Sequence, residues 1–174
     1  MSFTPIPGRD AWGTIAGFVL QVDFTILRWL NLEQSETLEL ESGEDIDIFR
    51  EQLSADGIDE TRLMEQIKRR SKTLTLRAPE ALEAIVNFCE TRQSNPQSRL
   101  SFRFVTTTTA GVEQGWQHEM SVISTWEAIR RGDFSEQERD TALEAIRSVL
   151  QTSHKARSSS TRSVETFARL HFLQ

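Results

Sequence analysis

The chain lacks most features that mark secreted and membrane proteins. Its 174 residues include a single cysteine, Cys89, so no disulfide forms within the chain and a reducing compartment is expected. No uninterrupted apolar run approaches 18 residues, and the N-terminal residues show no basic stretch followed by an apolar one. We therefore expect a cytoplasmic protein without a membrane partner.

Two common chemistries are also missing. Neither G-x-x-x-x-G-K-[ST] nor G-x-G-x-x-G occurs, so the chain has no phosphate-cradling loop and no case for nucleotide hydrolysis. His118, His154 and His171 are scattered and have no Cys or His partner at zinc-ligand spacing, which argues against a structural zinc site.

The charge balance does not suggest a nucleic-acid binder. The net charge is −6, whereas a DNA-handling protein normally presents a basic face, because neutralised phosphates supply most of its affinity. The charges must therefore be read locally. Basic residues cluster over 68–72, and much of the acidic excess falls over 33–47, 51–65 and 133–140.

Periodicity and turn signals predict an α/β protein with the element order αβββαβ, followed by further helices. The predicted core elements are a helix over 10–31 with a possible Asp10 cap, a hairpin of 37–41 and 45–49 across Ser42-Gly43, a strand over 62–69, a helix starting at Pro79 and a strand over 100–107. Two further helices follow. One covers 112–130, and the other begins at a Ser135-x-x-Glu138 capping box and runs through Leu150. The first helix is apolar nearly all round, so it is expected to be buried. Cys89 lies in the apolar pattern of the helix that follows Pro79, so it is expected in the core.

The length predicts a single domain over residues 1–174, with a core at about 8–109 and a helical extension at about 110–174. Residues 151–163 are polar and indicate a loop or linker, whereas residues 164–173 are amphipathic. A segment of that kind usually packs on something. It either folds back on its own core or indicates that the chain is the N-terminal module of a longer protein.

Residues 38–70 carry the chemistry. Glu41, Asp45 and Asp47 lie beside one short strand, and Gln66 and Lys68 point to the same face of another. Phosphodiester cleavage needs hard oxygen ligands that hold Mg²⁺ against the phosphate, together with a cation that neutralises developing charge. The pattern is therefore the one that a metal-dependent nuclease requires.

The motif D-I-D-I-F, followed by Q-I-K 21 residues after Asp47, resembles the PD-(D/E)xK restriction-endonuclease superfamily, with glutamine in place of the acidic residue of the last motif. The upstream G-F-V-L-Q of residues 17–21 and the motif L-E-L-E-S-G-E-D-I-D are similar to the double-stranded-DNA nuclease domain that begins many bacterial anti-phage effectors, including those of CBASS and Avs systems. The resemblance covers residues 8–109. It implies a restriction-endonuclease-like core, a mixed central sheet flanked by helices.

The resemblance also implies the site. Asp47 would be the central metal ligand, Gln66 would offer its amide oxygen, and Lys68 would be the catalytic lysine. Glu41 and Gln21 would reach the same site, and Glu41 would also bind the metal. Asp45 competes with Asp47 for the central position, because both members of D-I-D share a face. The cofactor would be Mg²⁺ or Mn²⁺.

The same resemblance implies a double-stranded-DNA substrate, with phosphate contacts expected from Arg69, Arg70 and Lys72. One site severs one strand, so we expect a homo-oligomer that assembles through regions outside this chain or at its C-terminal end. The glutamine is a departure from the parent motif, since a neutral amide binds Mg²⁺ less strongly than a carboxylate.

Three hypotheses follow. The first is a Mg²⁺-dependent DNA endonuclease, an effector of anti-phage defence. The second is a catalytically inactive nuclease-fold module that binds nucleic acid or a protein partner. The third is a structural domain whose acidic hairpin is a solvated edge.

Overall fold

A computed structural model of the chain describes residues 12–54 and 57–155, with only the backbone described for 52–54, 57–59 and 153–155. The Asp10 cap, the residues of the polar linker from 156 onward and the amphipathic segment 164–173 lie outside the described residues. The chain divides into two compact units. The first comprises the residues up to Arg69 together with Arg99–Thr106, and the second comprises Arg70–Ser98 and the residues from Thr107 onward.

The first unit holds a mixed four-stranded sheet and one helix, and it supports the predicted α/β class. Its elements are α1 (Trp12–Leu30), β1 (Glu36–Leu40), β2 (Ile46–Ser54), β3 (Gly57–Lys68) and β4 (Arg99–Thr106). The strand order is β1-β2-β3-β4, with antiparallel pairing from β1 to β3 and parallel pairing of β3 with β4. Parallel neighbours need a crossover connection, and here the chain between β3 and β4 includes a helix.

The β1–β2 hairpin closes where the sequence predicts it. Leu40 pairs with Ile46, and residues 41–45 form the connection. Glu41, directly after β1, has a φ of 54°, in the left-handed region that lets the chain reverse. β2 and β3 pair from Ile46 opposite Glu65 to Ser54 opposite Gly57, so both strands are longer than the predicted 45–49 and 62–69.

Alternation along these strands creates two different faces. Ile46 lies opposite Glu65, and Asp47 lies opposite Met64. Because directly opposite residues share a face, Ile46 and Glu65 belong to one face and Asp47 and Met64 to the other. All four side chains are at most 1% exposed, so both faces are buried at this position.

The prediction that α1 is buried is wrong. None of the described residues of α1 is buried, and nine of them are large, exposed hydrophobic side chains. The helix is held to the sheet along one side by Arg28, whose Nε and Nη2 donate to Glu65 Oε2 and Oε1 at 2.6 and 3.0 Å. An apolar surface all round a helix does not ensure burial when one side alone meets the sheet. By length and composition α1 is also apolar enough to cross a membrane, a property shared by core helices and signal sequences.

The second unit is a helical cluster with its own apolar core. Its helices are α2 (Pro79–Ser94), α3 (Val122–Arg131) and α4 (Glu136–Lys155). Pro79 begins α2, as the sequence predicts, because proline is tolerated in the first turn. Cys89 is 4% exposed within this core, which confirms its predicted place. The core side chains are Leu76, Leu82, Ile85, Cys89, Val122, Ile129, Ala142, Leu143, Ile146, Val149 and Leu150.

The prediction of a helix over 112–130 is wrong in its first half, because α3 begins only at Val122. Gly115 has a φ of 80°, which interrupts a helix, and Ser121 caps α3 by accepting the Ser124 N–H at 3.1 Å. The capping box that starts α4 is confirmed. The Glu138 carboxylate accepts from the Ser135 N–H at 3.0 Å and from its hydroxyl at 2.5 Å. α4 extends to Lys155, beyond the predicted end.

Candidate functional site

Three residues that the sequence predicts for the site share one face of the sheet. Gln66 and Lys68 follow Met64 at two-residue intervals along β3, so they lie on the face that carries Asp47. On the parallel neighbour β4, Thr106 pairs with Lys68. We call Asp47, Gln66, Lys68 and Thr106 the site cluster. It presents a carboxylate, an amide, an ammonium group and a hydroxyl to one side of the sheet.

Three oxygens of the site cluster are buried without a hydrogen-bond partner among the described residues. They are Oδ1 of Asp47, Oε1 of Gln66 and Oγ1 of Thr106. Asp47 is fully buried, and Gln66 is 7% exposed. A buried polar atom without a partner costs about 1–3 kcal/mol, and native proteins leave few of them. A cation or a hydrogen-bond donor such as water would complete these lone pairs.

Lys68 is half-buried and forms no ion pair or hydrogen bond with the residues that the structure describes. A lysine in that setting is available to an anionic ligand, since no neighbouring carboxylate neutralises it. The register pairs Lys68 with Thr106, and Lys68 follows Gln66 by two residues on the same face of β3.

The second oxygen of Asp47 is held in place. Oδ2 accepts the Gly43 N–H at 2.7 Å and Arg62 Nη1 at 3.3 Å. A Cβ at position 43 would stand 2.9 Å from this oxygen and 2.7 Å from Met64 Cε, so a larger residue would displace the Asp47 carboxylate or the Met64 side chain. The turn thus fixes the carboxylate in one orientation, with Oδ1 left for a ligand.

Burial raises the pKa of Asp47 above its ordinary value. The Gly43 N–H, the Arg62 charge and the Glu44 backbone oppose the shift without cancelling it. Desolvation disfavours the charged form of a carboxylate. A divalent cation would reverse that preference, so cation binding and deprotonation of Asp47 are coupled.

Arg62 is a site residue that the sequence reasoning missed. Its guanidinium also contacts Glu39 Oε2 at 3.6 Å and Glu60 Oε1 at 3.2 Å, and it lies over the Phe49 ring at 5.0 Å. Arg62 lies four residues before Gln66, so strict alternation along β3 would have placed both on one face. The predicted strand over 62–69 already contained Arg62, so alternation along it was the available signal.

Asp45 and Asp47 differ in what they bind. Asp45 lies just before the first residue of β2. Its Oδ2 accepts the Ile67 N–H at 2.5 Å. Asp45 is therefore committed to the backbone of β3, and it is only half-buried. Of the two aspartates, Asp47 is the one with a buried, unpartnered oxygen.

The structure does not bring Glu41 and Gln21 to the site cluster. Glu41 is exposed in the turn after β1, and the register places Glu39 opposite Asp47 instead. Gln21 lies on α1, which is held to the face of Glu65, the reverse of the face that carries Asp47. Among the described residues, no hydrogen bond or ion pair joins either side chain to Asp47 or Gln66.

The three predicted phosphate contacts have different settings. Arg69 and Lys72 are exposed. Arg70 is half-buried, and its Nη1 lies 2.5 Å from Glu80 Oε2, so its charge is already neutralised by an ion pair. Its backbone N–H donates to Thr107 Oγ1 at 3.0 Å.

The donor set for a metal is small. Within residues 12–54 and 57–155, no three His, Cys, Asp or Glu side chains come together to hold an ion. One carboxylate and one amide oxygen remain, which suits an ion that completes its shell with water and substrate oxygens. Comparisons of the chain with protein-family models, curated proteins and solved structures found no match.

Proposed function

We propose that the chain is a metal-dependent DNA endonuclease domain of the PD-(D/E)xK kind, acting as an effector of anti-phage defence. The observation that carries the proposal is the pair of buried oxygens on Asp47 and Gln66, which, like Lys68 on the same sheet face, have no partner among the described residues. The element order α1-β1-β2-β3-α2-β4 agrees with the core that the motif resemblance implies.

The donors fit Mg²⁺ or Mn²⁺. Mg²⁺ prefers oxygen ligands and commonly takes one or two protein carboxylates together with water and substrate phosphate oxygens. Asp47 Oδ1 and Gln66 Oε1 would hold it, because they are the carboxylate and amide oxygens of the site cluster that are buried without a partner among the described residues. When bound, the ion would polarise the scissile phosphate and help to deprotonate water.

The remaining residues of the site would position the Asp47 carboxylate and neutralise charge on the phosphate. The Gly43 N–H and Arg62 fix the Asp47 carboxylate, so its free oxygen points in one direction before any ligand arrives. Lys68 would bind the phosphate and stabilise the negative charge that grows on it during cleavage, or orient the attacking water. Charge stabilisation of this kind is usually the largest single contribution to catalysis.

The choice of double-stranded DNA and of anti-phage defence rests on the resemblance of residues 17–21 and of the L-E-L-E-S-G-E-D-I-D motif. A net charge of −6 makes weak DNA affinity the expectation for a single copy, because few phosphates are neutralised. Binding should therefore weaken steeply as salt rises.

A second candidate is a nuclease-fold module that binds without cleaving. Gln66 favours it, since an amide is a weaker ligand than a carboxylate and the described residues offer only one free carboxylate at the site. Gln66→Glu separates the two ideas. In an inactive module the substitution restores the parent motif and should create cleavage, whereas in an active enzyme the wild type already cleaves.

The direct test is plasmid cleavage by the purified chain with Mg²⁺, with Mn²⁺ and with a chelator. We expect nicking that needs the metal and that falls by about 10²–10³-fold in Lys68→Ala, as for loss of a charge that stabilises a transition state. Lys155→Ala, which removes a lysine at the end of α4, is the matched control and should retain cleavage. Near-normal cleavage by folded Lys68→Ala would refute the role of Lys68.

Titration calorimetry completes the test. Metal binding that Asp47→Asn abolishes, without cleavage by the wild type, would identify the inactive module. Absence of both metal binding and cleavage would overturn the proposal.

A further inference from the structure

The exposed side of α1 carries large apolar side chains along its whole length, interrupted by Asp23. Ile15, Val19, Val22, Ile26 and Trp29 are 49, 50, 41, 48 and 67% exposed. Their flanking neighbours Phe18 and Leu30 are 65 and 72% exposed. Soluble proteins seldom expose apolar side chains in such a continuous patch unless another molecule covers it.

This side is the reverse of the one that meets the sheet. Arg28 binds Glu65 and lies 5.8 Å from the Phe24 ring, so these two residues mark the sheet side of the helix. At 100° per residue, Val22 and Ile26 lie about 120° to 160° around the helix from Arg28 and Phe24. A partner could therefore cover the exposed side while α1 stays on its own sheet.

The spacing of the exposed residues is that of a coiled-coil seam. Steps of four, three, four and three residues lead from Ile15 through Val19, Val22 and Ile26 to Trp29. This is the heptad pattern in which two helices interlock their side chains. Five consecutive seam positions are apolar. We call these five residues the α1 seam.

We propose that two copies of this chain associate through the α1 seam, each covering the other. A two-fold interface uses the same surface on both copies, and a heptad seam is complementary to itself. The exposed aromatic and aliphatic side chains of the patch offer roughly 350–650 Å² per copy. The pair would bury about 1,000 Å², the lower end for a specific interface, so a reversible dimer results.

A lipid bilayer fits the same surface less well. Asp23 is exposed at the middle of α1, and a charge at that depth of a membrane is costly. Arg28 is engaged with Glu65 in the sheet, and a spanning helix would have to break that pair. Asp23 causes no conflict at the edge of a helix pair, where it stays in water.

The first experiment is the mass of the full chain in solution, measured by sedimentation equilibrium between about 1 and 100 μM, the usual range for interfaces at this lower end of size. We expect a monomer–dimer equilibrium whose dissociation constant rises at least tenfold in the double variant Val22→Glu, Ile26→Glu. Thr14→Glu adds a charge at an exposed position about 100° around the same helix from Ile15 and is the matched control, which should dimerise as the wild type does. Because both seam residues are exposed, the folded state should survive, and circular dichroism checks this.

Disulfide trapping supplies a second readout. Val22 lies at the middle of the seam, so its two copies meet whether the helices run parallel or antiparallel. Val22→Cys should form a cross-linked dimer under mild oxidation, and Thr14→Cys should not. The native Cys89 is buried and should not interfere.

Three results would overturn the inference. One is a monomer at every concentration without Val22→Cys cross-linking. Another is flotation of the chain with phosphatidylcholine vesicles that is lost in the double variant, which would assign the seam to a membrane. The third is dimerisation only after residues 156–174 are removed, which would show that they cover the seam. None of these measurements depends on cleavage, so failure here leaves the proposed function standing.

Discussion

Two neighbouring residues of β3 show how the faces of the sheet differ. Glu65 points to the face of α1, and its two oxygens accept from Arg28 at 2.6 and 3.0 Å and from Arg103 at 2.6 Å. Gln66 points to the other face, where its own oxygen and Asp47 Oδ1 have no partner among the described residues. Glu65 and Asp47 are both fully buried, but only Glu65 has a hydrogen-bond partner for each carboxylate oxygen among the described residues.

Glu113, a buried carboxylate of the second unit, behaves as Glu65 does. Its oxygens accept the backbone N–H groups of Leu76 at 2.6 Å and Val122 at 3.1 Å. Glu65 and Glu113 therefore hold the fold together, because each buried oxygen is used within the protein. Burial alone therefore does not make a carboxylate a candidate ligand, and Asp47 differs from Glu65 and Glu113 in having a buried oxygen without a partner among the described residues.

The sharpest test of this contrast is Asp47→Asn, measured beside Asp45→Asn. We expect Asp47→Asn to lower metal-dependent cleavage by about 10³-fold, since the ligand loses its charge. Asp45→Asn should cost far less, because asparagine still offers an oxygen to the Ile67 N–H. Calorimetric titration of Mg²⁺ into each variant checks the order. A larger loss in Asp45→Asn would mean that Asp45 is the central ligand.

Substitutions on the sheet face that carries Glu65 should change the stability of the fold rather than cleavage. Glu65→Gln removes the charge that Arg28 and Arg103 share, and we expect it to lower the free energy of unfolding by about 2–3 kcal/mol. The value lies below that for fully buried pairs because both arginines are partly exposed. Glu36→Gln, in a pair with Arg50 on the same face, is the control and should cost at most about 1 kcal/mol. Urea denaturation measures both, and equal losses would remove the distinction.

The smallest expected effect is on the pH dependence of stability. The pKa of Asp47 is raised in the folded state, so folded Asp47 holds its proton more tightly than unfolded Asp47. Its contribution to stability is complete below the ordinary value of 3.8 and is lost as pH rises through the raised pKa. Asp47→Asn should flatten this loss, and Mg²⁺ should offset it in the wild type alone. Parallel pH profiles of the two proteins would contradict the shift.

Local patterns in the sequence predicted the local structure well. The hairpin, the start of α2 at Pro79 and the Ser135–Glu138 capping box each depend on residues close in the chain. The shared face of Gln66 and Lys68 follows from alternation alone. These features need no knowledge of which segments meet.

The features that the sequence did not predict depend on contacts between residues far apart in the chain. The pairing of Arg62 and Glu39 with Asp47 follows from strand register, which short motifs do not fix. The exposure of α1 depends on how much of its surface a neighbouring element covers. The apolar sequence of the helix does not reveal that covered area. The non-helical start of 112–121 depends on Gly115 and on the two backbone groups that Glu113 accepts from elsewhere in its unit.

The bond between Arg28 and Glu65 joins α1 to the face of the sheet opposite Asp47. Glu65 and Gln66 are consecutive residues of β3, so the carboxylate that Arg28 holds is next in the chain to the amide on the face of Asp47. Without the Arg28 contact, Glu65 would keep Arg103 as its ion-pair partner among the described residues. The anchor of α1 and the candidate metal ligand therefore occupy adjacent positions of one strand.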